Sequence, residues 1–185
     1  ACLSQDATSE SITSRTTGFI NKMYELASEY NTVSVEGHDL WAQPAEDAGV
    51  ILRVEVSATT DITDVTNAAT SLLNTDGLFA LFCSNEGAVS GLLAATSGGA
   101  DLGEDGPYSH LLVAGFDAGA PQKEAVRNGW FVGSVTQDPY RIGYLGVELA
   151  VKAANGEEVS DIDTGAKWYT AENIDDPDIA MLVYD

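Results

Sequence analysis

Basic side chains are scarce in this sequence. Eight lysines and arginines stand against 29 aspartates and glutamates, giving a formal net charge of −21. That shortage argues against nucleic acid, where affinity comes from cations neutralising phosphates. It argues equally against an anionic membrane surface. What the charge supports is dispersal in water by an acidic coat. Cysteine is nearly missing as well. Cys2 and Cys83 are too few for a disulfide framework and stand in no C-x-x-C spacing. Cys83 closes the apolar run Leu78-Phe-Ala-Leu-Phe and Cys2 lies in a short apolar start, so both read as small buried hydrophobes. The two histidines, His38 and His110, have no second ligand near them in sequence. We therefore expect no metal site, no cofactor and no catalytic residue; His38 reads as a solvent-facing or capping residue. No apolar run approaches the ~20 residues of a membrane span. No signal peptide opens the sequence, which suggests a cytoplasmic chain, a processed one, or a piece trimmed from a longer one.

What is present is a chain of 185 residues, 44 % of them hydrophobic, which suggests one domain with a sizeable core. Apolar runs alternate with helical patterns. A strand tail at residues 1–4 precedes a helix from Ser9 or Ser11 to about Tyr30, with Ile12, Phe19, Ile20, Met23, Leu26 and Ala27 at helical spacing. Residues 32–35 form a short strand, and the Gly37–Pro44 stretch reads as a loop. A β-branched strand spans 50–56 and a helix runs from Asp61 to Leu73. Strand 78–83 and helix 87–96 follow, then a Gly- and Asp-rich surface loop over 97–109. That loop has no lysine and no phosphate-cradle pattern. Strand 111–116, helix 122–128 and strand 130–135 come next. A long helix from Asp138-Pro139 to about Ala154 carries the apolar stripe Ile142, Leu145, Leu149 and Ala153. One more extended segment covers 165–169. Nearly continuous apolar strands alternating with helices predict an α/β fold, a three-layer open parallel sheet with helices on both faces.

In such a sheet the carboxyl ends of the strands share one rim, and ligands bind in the crevice outside it. Arg15, Asn85, Asp117 and Gln137 each lie at a strand end or early in the next helix. Together they offer a guanidinium fork, two amides and a carboxylate. Sugar hydroxyls both donate and accept, so a polyol needs donors and acceptors side by side. Each position also has a plainer reading. Asn85 and Asp117 suit helix caps, Arg15 a surface helix residue and Gln137 a loop residue; spacing does not choose between these.

The segments Arg15-Thr-Thr-Gly-Phe, Ser84-Asn-Glu, Val113-Ala-Gly-Phe-Asp and Val135-Thr-Gln-Asp-Pro-Tyr-Arg-Ile-Gly do choose. In this order they resemble the type I periplasmic sugar-binding proteins, most of all the ribose-binding branch. The tail Asp163-Thr-Gly and Thr170-Ala-Glu-Asn-Ile-Asp-Asp-Pro resembles it too. The resemblance implies two α/β lobes (flavodoxin-like) joined by a hinge and closing on a monosaccharide. It places Arg15, Asn85, Asp117 and Gln137 at second-lobe and hinge ligand positions. A further pocket position falls near Thr60, where the family often has an aromatic. It also implies an ABC permease as partner and an extracytoplasmic location, periplasmic or as a cell-surface lipoprotein.

By the same resemblance, residues 1–137 form the C-terminal ligand-binding lobe. Residues 138–162 are a helix and linker that pack on the first lobe, and 163–185 return to the second. The first lobe is missing, so weak sugar binding is expected, and the stripe on helix 139–154 should pack on that lobe or on another copy of the chain. Residues 36–49 read as an insertion or a divergent stretch. The alternative is a ligand-sensing domain of a LacI-type transcription regulator or membrane receptor; an enzyme on the same sheet is disfavoured by the missing nucleophile–base pair.

Overall fold

The computed structural model describes residues 1–184. Seven strands form one sheet: β1 (Cys2–Ser4), β2 (Val33–Glu36), β3 (Val50–Val56), β4 (Ala80–Cys83), β5 (Leu112–Phe116), β6 (Gly133–Gln137) and β7 (Ala166–Tyr169). Their spatial order is β2-β3-β1-β4-β5-β6-β7. All neighbours are parallel except β7, which runs antiparallel to β6. The sheet is thus mostly parallel rather than wholly so. The helices are α1 (Glu10–Ser28), α2 (Ile62–Leu73), α3 (Glu86–Ala95), α4 (Ala120–Arg127), α5 (Pro139–Ala154) and the short α6 (Pro177–Ala180).

Alternation along the strands divides the core in two. Leu3, Leu81, Cys83 and Val113 face α2, α3 and α4, and form one cluster with Val65, Leu72, Val89 and Leu92. The contact between α2 and α3 is close: a Cβ on Gly91 would lie 2.4 Å from Val65 Cγ1. Cys2, Val33, Val35, Leu52, Val54 and Phe82 point the other way and meet Ile20 of α1. There Phe19 stacks on Phe82, with ring centroids 4.8 Å apart. Burial pushes the Cys2 thiol up to about 12 and raises that of Cys83 as well, so both cysteines are inert packing groups.

Helix α1 rests mainly on β1, β2 and β3, touching β4 through the Phe19–Phe82 stack. On its side of the sheet, the half formed by β4, β5 and β6 leaves Leu112 and the neighbouring Phe79 and Val132 exposed around a groove of about 450 Å³. Helix α5 contains no buried residue and packs substantially on no other element. Of its expected stripe, Leu145 and Leu149 are half-buried while Ile142 and Ala153 are exposed. Tyr140, Tyr144, Val147 and Val151 are exposed too, so its apolar surface is wider than the stripe.

Three local expectations change. Strand β6 starts at Gly133, because the amides of Trp130 and Phe131 still bond to the Ala125 carbonyl at the end of α4. The 97–109 segment is not all surface loop: Ser97–Leu102 forms a 3₁₀ turn that buries Leu102. The 36–49 stretch is more than a loose loop. Gln43 makes an antiparallel bridge to Val35, and Trp41 enters the second core with its Nε1 donating to Thr17 Oγ1 at 2.8 Å. His38 Nδ1 accepts from the Leu40 amide in the same strap, at 3.2 Å.

Trp41 should therefore be a structural anchor. Trp41→Ala is expected to lower the unfolding free energy by about 3–5 kcal/mol. Denaturant midpoints check this; a loss below ~1 kcal/mol would show the strap to be dispensable.

Candidate functional site

The parallel strands β1, β4, β5 and β6 end on one rim, and the four candidate residues are found there. Arg15 lies in the second turn of α1. The next residue, Thr16, is buried and its hydroxyl is 3.1 Å from that of Ser4, which ties this turn to the end of β1. From there the guanidinium spans three strand ends. Nη1 donates to the Ser84 carbonyl at 3.3 Å beyond β4 and sits 3.3 and 3.4 Å from the Asp117 carboxylate oxygens beyond β5. Nη2 donates to Gln137 Oε1 at 3.0 Å at the end of β6. The Arg15 Cζ lies 3.9 Å from the centroid of the Phe116 ring, a cation–π contact that fixes the plane of the fork.

The Arg15 and Asp117 side chains keep 15 % and 20 % of their accessible surface. Their contacts are longer than the ~2.7–2.9 Å of a tight charge-assisted bond. The two ions are held facing each other and stay open to a third partner. Asp117 does not cap its own helix, since Gly119 is the N-cap of α4. Its Oδ2 accepts instead from the Glu86 amide at 3.0 Å, in the first turn of α3, where the helix dipole favours a negative charge.

Asn85 does cap its helix. Its Oδ1 accepts from the Ala88 amide at 3.0 Å, while Nδ2 donates to Gln5 Oε1 at 2.6 Å. Gln5 Nε2 in turn donates to the Thr60 carbonyl at 3.2 Å, which brings the backbone of Thr60 to the same rim. The structure thus joins Arg15, Asp117 and Gln137 in one hydrogen-bonded group, and places Asn85 beside it in a second group with Gln5. Sequence reasoning missed Gln5, Phe116 and Glu86. Gln5 follows β1 as Asn85 follows β4, so the strand-end rule that found Asn85 reaches it. Glu86 acts here through its amide, which no side-chain pattern signals.

Two concavities on the described surface, one of about 550 Å³ beside Leu78 and His110 and the other the groove on the open sheet face, do not involve Arg15, Asn85, Asp117 or Gln137. Among the described residues no cluster of His, Cys, Asp or Glu is arranged to hold a metal ion, and no helix is long and apolar enough to cross a membrane.

An open α/β sheet carrying hydrogen-bonding groups along its carboxyl rim is the architecture of a ligand-binding lobe. The chain belongs to the periplasmic binding protein domain family, whose family model matches residues 1–158. A search of the curated proteins gave no match. Among solved structures, one from Brachyspira murdochii, described as an ABC transporter, LacI family transcriptional regulator, is similar with TM-score 0.80 and 36 % identity; the match covers 100 % of this chain and 55 % of that one. An ABC transporter solute-binding protein from Agrobacterium vitis with bound D-fucose gives TM-score 0.61 and 21 % identity, over 92 % of this chain and 62 % of that one. One from Bacillus halodurans with bound myo-inositol gives 0.58 and 22 %, over 88 % and 58 %. The chain spans between about half and two-thirds of these structures. The two more distant likenesses speak to the fold alone.

Tyr169 links the rim to pH. Its buried phenol donates to the Asp117 carbonyl at 2.9 Å, and burial pushes its pKa from 10.0 up to about 12. Above pH 10 the unfolded chain releases this proton while the folded one keeps it until about 12. Stability contributed by the neutral phenol is therefore full below 10 and is lost as pH rises through that window. Denaturant titrations between pH 9 and 12 should show a shallower decline in Tyr169→Phe than in the unaltered chain; equal slopes would contradict this.

Proposed function

We propose that the chain is the second, ligand-binding lobe of the substrate-binding component of an ABC importer, and that it takes a monosaccharide in the cleft against a first lobe. The observation that carries this reading is the Arg15 fork spanning Asp117 and Gln137 across three strand ends. A fork, a carboxylate and an amide in one open group can donate to and accept from adjacent hydroxyls, while rejecting analogues that lack them. The ligands named for the similar structures, D-fucose and myo-inositol, are polyols of this kind. Binding, rather than catalysis, is the role this donor set suits.

The division of the chain follows. Residues 1–137 are the lobe proper; 138–162 leave it, in keeping with the unpacked α5; and 163–185 return, in keeping with β7 on the sheet edge. In the complete protein an extracytoplasmic location and a permease partner go with this role. Lobe closure on the sugar would present a surface to that permease. A second reading, a ligand-sensing domain of a transcription regulator, is favoured by the description of the Brachyspira structure. Upstream sequence separates them: a signal peptide for the importer, a DNA-binding segment for the regulator.

One lobe supplies half of the contacts. Calorimetry of this chain against a panel of aldoses and inositols should show weak or undetectable heats. The complete two-lobed protein should bind one of them with micromolar affinity or better, and Arg15→Ala there should weaken binding by about 100-fold, the cost of truncating one partner of a hydrogen-bonded charge pair. Micromolar binding to the single lobe, or unchanged affinity after Arg15→Ala, would overturn the proposal.

A further inference from the structure

Asp117 is one of three residues other than glycine with positive φ among those described, at φ 83. An L-residue enters that region only where its surroundings hold it there. The surroundings are specific. Three side chains converge on the Asp117 main-chain carbonyl: Gln122 Nε2 at 3.0 Å, Ser134 Oγ at 3.0 Å and the Tyr169 hydroxyl at 2.9 Å. They come from three different elements, α4, β6 and β7. All three residues are fully buried.

The orientation of Gln122 is forced. Its Nε2 also lies 2.6 Å from the Phe116 carbonyl and 3.0 Å from Ser134 Oγ, while its Oε1 is buried with no hydrogen-bond partner among the described residues. Turning the amide over would set that oxygen against two carbonyls. An unsatisfied buried oxygen is unfavourable, so the arrangement persists because the donor is needed at Asp117. Space for it comes from Gly115: a Cβ there would stand 3.0 Å from both Gln122 Nε2 and Ser134 Oγ.

We propose that Gln122, Ser134 and Tyr169 are positioning residues of the ligand rim. Their three hydrogen bonds hold Asp117 in the left-handed conformation from which its carboxylate faces Arg15 and the Glu86 amide. This deepens the binding role proposed above and rests on it for its purpose, though not for its geometry. Through Tyr169, the clamp also makes the returning segment part of the site: β7 supplies one donor to a residue on the far side of β6.

The test needs no sugar, so it stands apart from the question of what binds. Ser134→Ala and Tyr169→Phe each remove one donor. In each variant the Glu86 amide, which donates to the Asp117 carboxylate, is followed by hydrogen exchange and proton chemical shift. The amide of buried Leu92, in the same helix, is the reference. The expected result is exchange at Glu86 faster by about tenfold relative to Leu92, with its proton resonance moving upfield as the bond to the carboxylate weakens. Equal acceleration at both amides with an unmoved Glu86 resonance is what a merely structural role would give, and would overturn the proposal. Should Tyr169→Phe fail to fold, Ser134→Ala decides alone. Absence of sugar binding by the unaltered two-lobed protein, with the Glu86 effect seen in the variants, would count against the binding role and leave the clamp standing.

Discussion

The bridge from Arg15 to the ends of β4, β5 and β6 depends on one constraint: parallel strands end on the same side. No two of Ser84, Asp117 and Gln137 are near in sequence, yet one guanidinium reaches all three. An antiparallel strand would carry its last residue to the opposite rim. The returning strand β7 does run antiparallel, and it contributes accordingly. It reaches the rim with its beginning, where Ala166 pairs with Gln137, and it supports Asp117 from within the sheet through Tyr169.

The charge of the chain gives this bridge its weight. With 8 basic residues against 29 acidic ones, a cation in the rim is a scarce resource. Lys22, Arg127, Lys152 and Lys167 make ion pairs on exposed surface, where such pairs contribute little. Arg15 differs from these four: it is placed over an aromatic ring and across three strand ends, with most of its surface covered. There the solvent screens less, and the Phe116 ring and Gln137 set the guanidinium's direction. Preorganisation of this kind is what lets a polar site bind neutral hydroxyls in competition with water.

Much of this was legible in the sequence, for reasons that can be named. Apolar strands such as Leu78–Cys83 and Leu111–Phe116 carry apolar side chains on both faces, and that continuity marks them even though Phe79 and Leu112 lie exposed on the α1 side. Asp117 and Gln137 stood out because an apolar run stops at them and Arg15 because it lies early in the helix after β1, while the preference for a ligand role over the plainer readings rested on the family resemblance. What escaped was anything decided by the backbone. The left-handed turn at Asp117 has no sequence signal, since glycine is the usual marker and here the glycine stands two residues earlier, making room for Gln122. The Glu86 amide is invisible for the same reason. Trp41 escaped differently: a lone aromatic in a polar stretch has no periodicity, and only the bridge between Val35 and Gln43 shows that it turns inward. For Asn85 the cap reading holds: its Oδ1 takes the Ala88 amide, and its Nδ2 is turned to Gln5 at the rim.

Two apolar surfaces remain uncovered, the α1-side face of β4 to β6 and the outer faces of α5, while the rim between them is already formed. That combination separates what positions the site from what completes it. The groups that orient Arg15 and Asp117 all come from this chain: the Phe116 ring, the Gln137 amide, the Glu86 backbone, and the donors on the Asp117 carbonyl. None of them lies on α5. A rim built this way keeps its geometry whether or not anything covers α5. Closure by a further lobe would then add contacts to a ready surface and need not rearrange it, so the binding energy it contributes is not diminished by ordering the polar groups it meets.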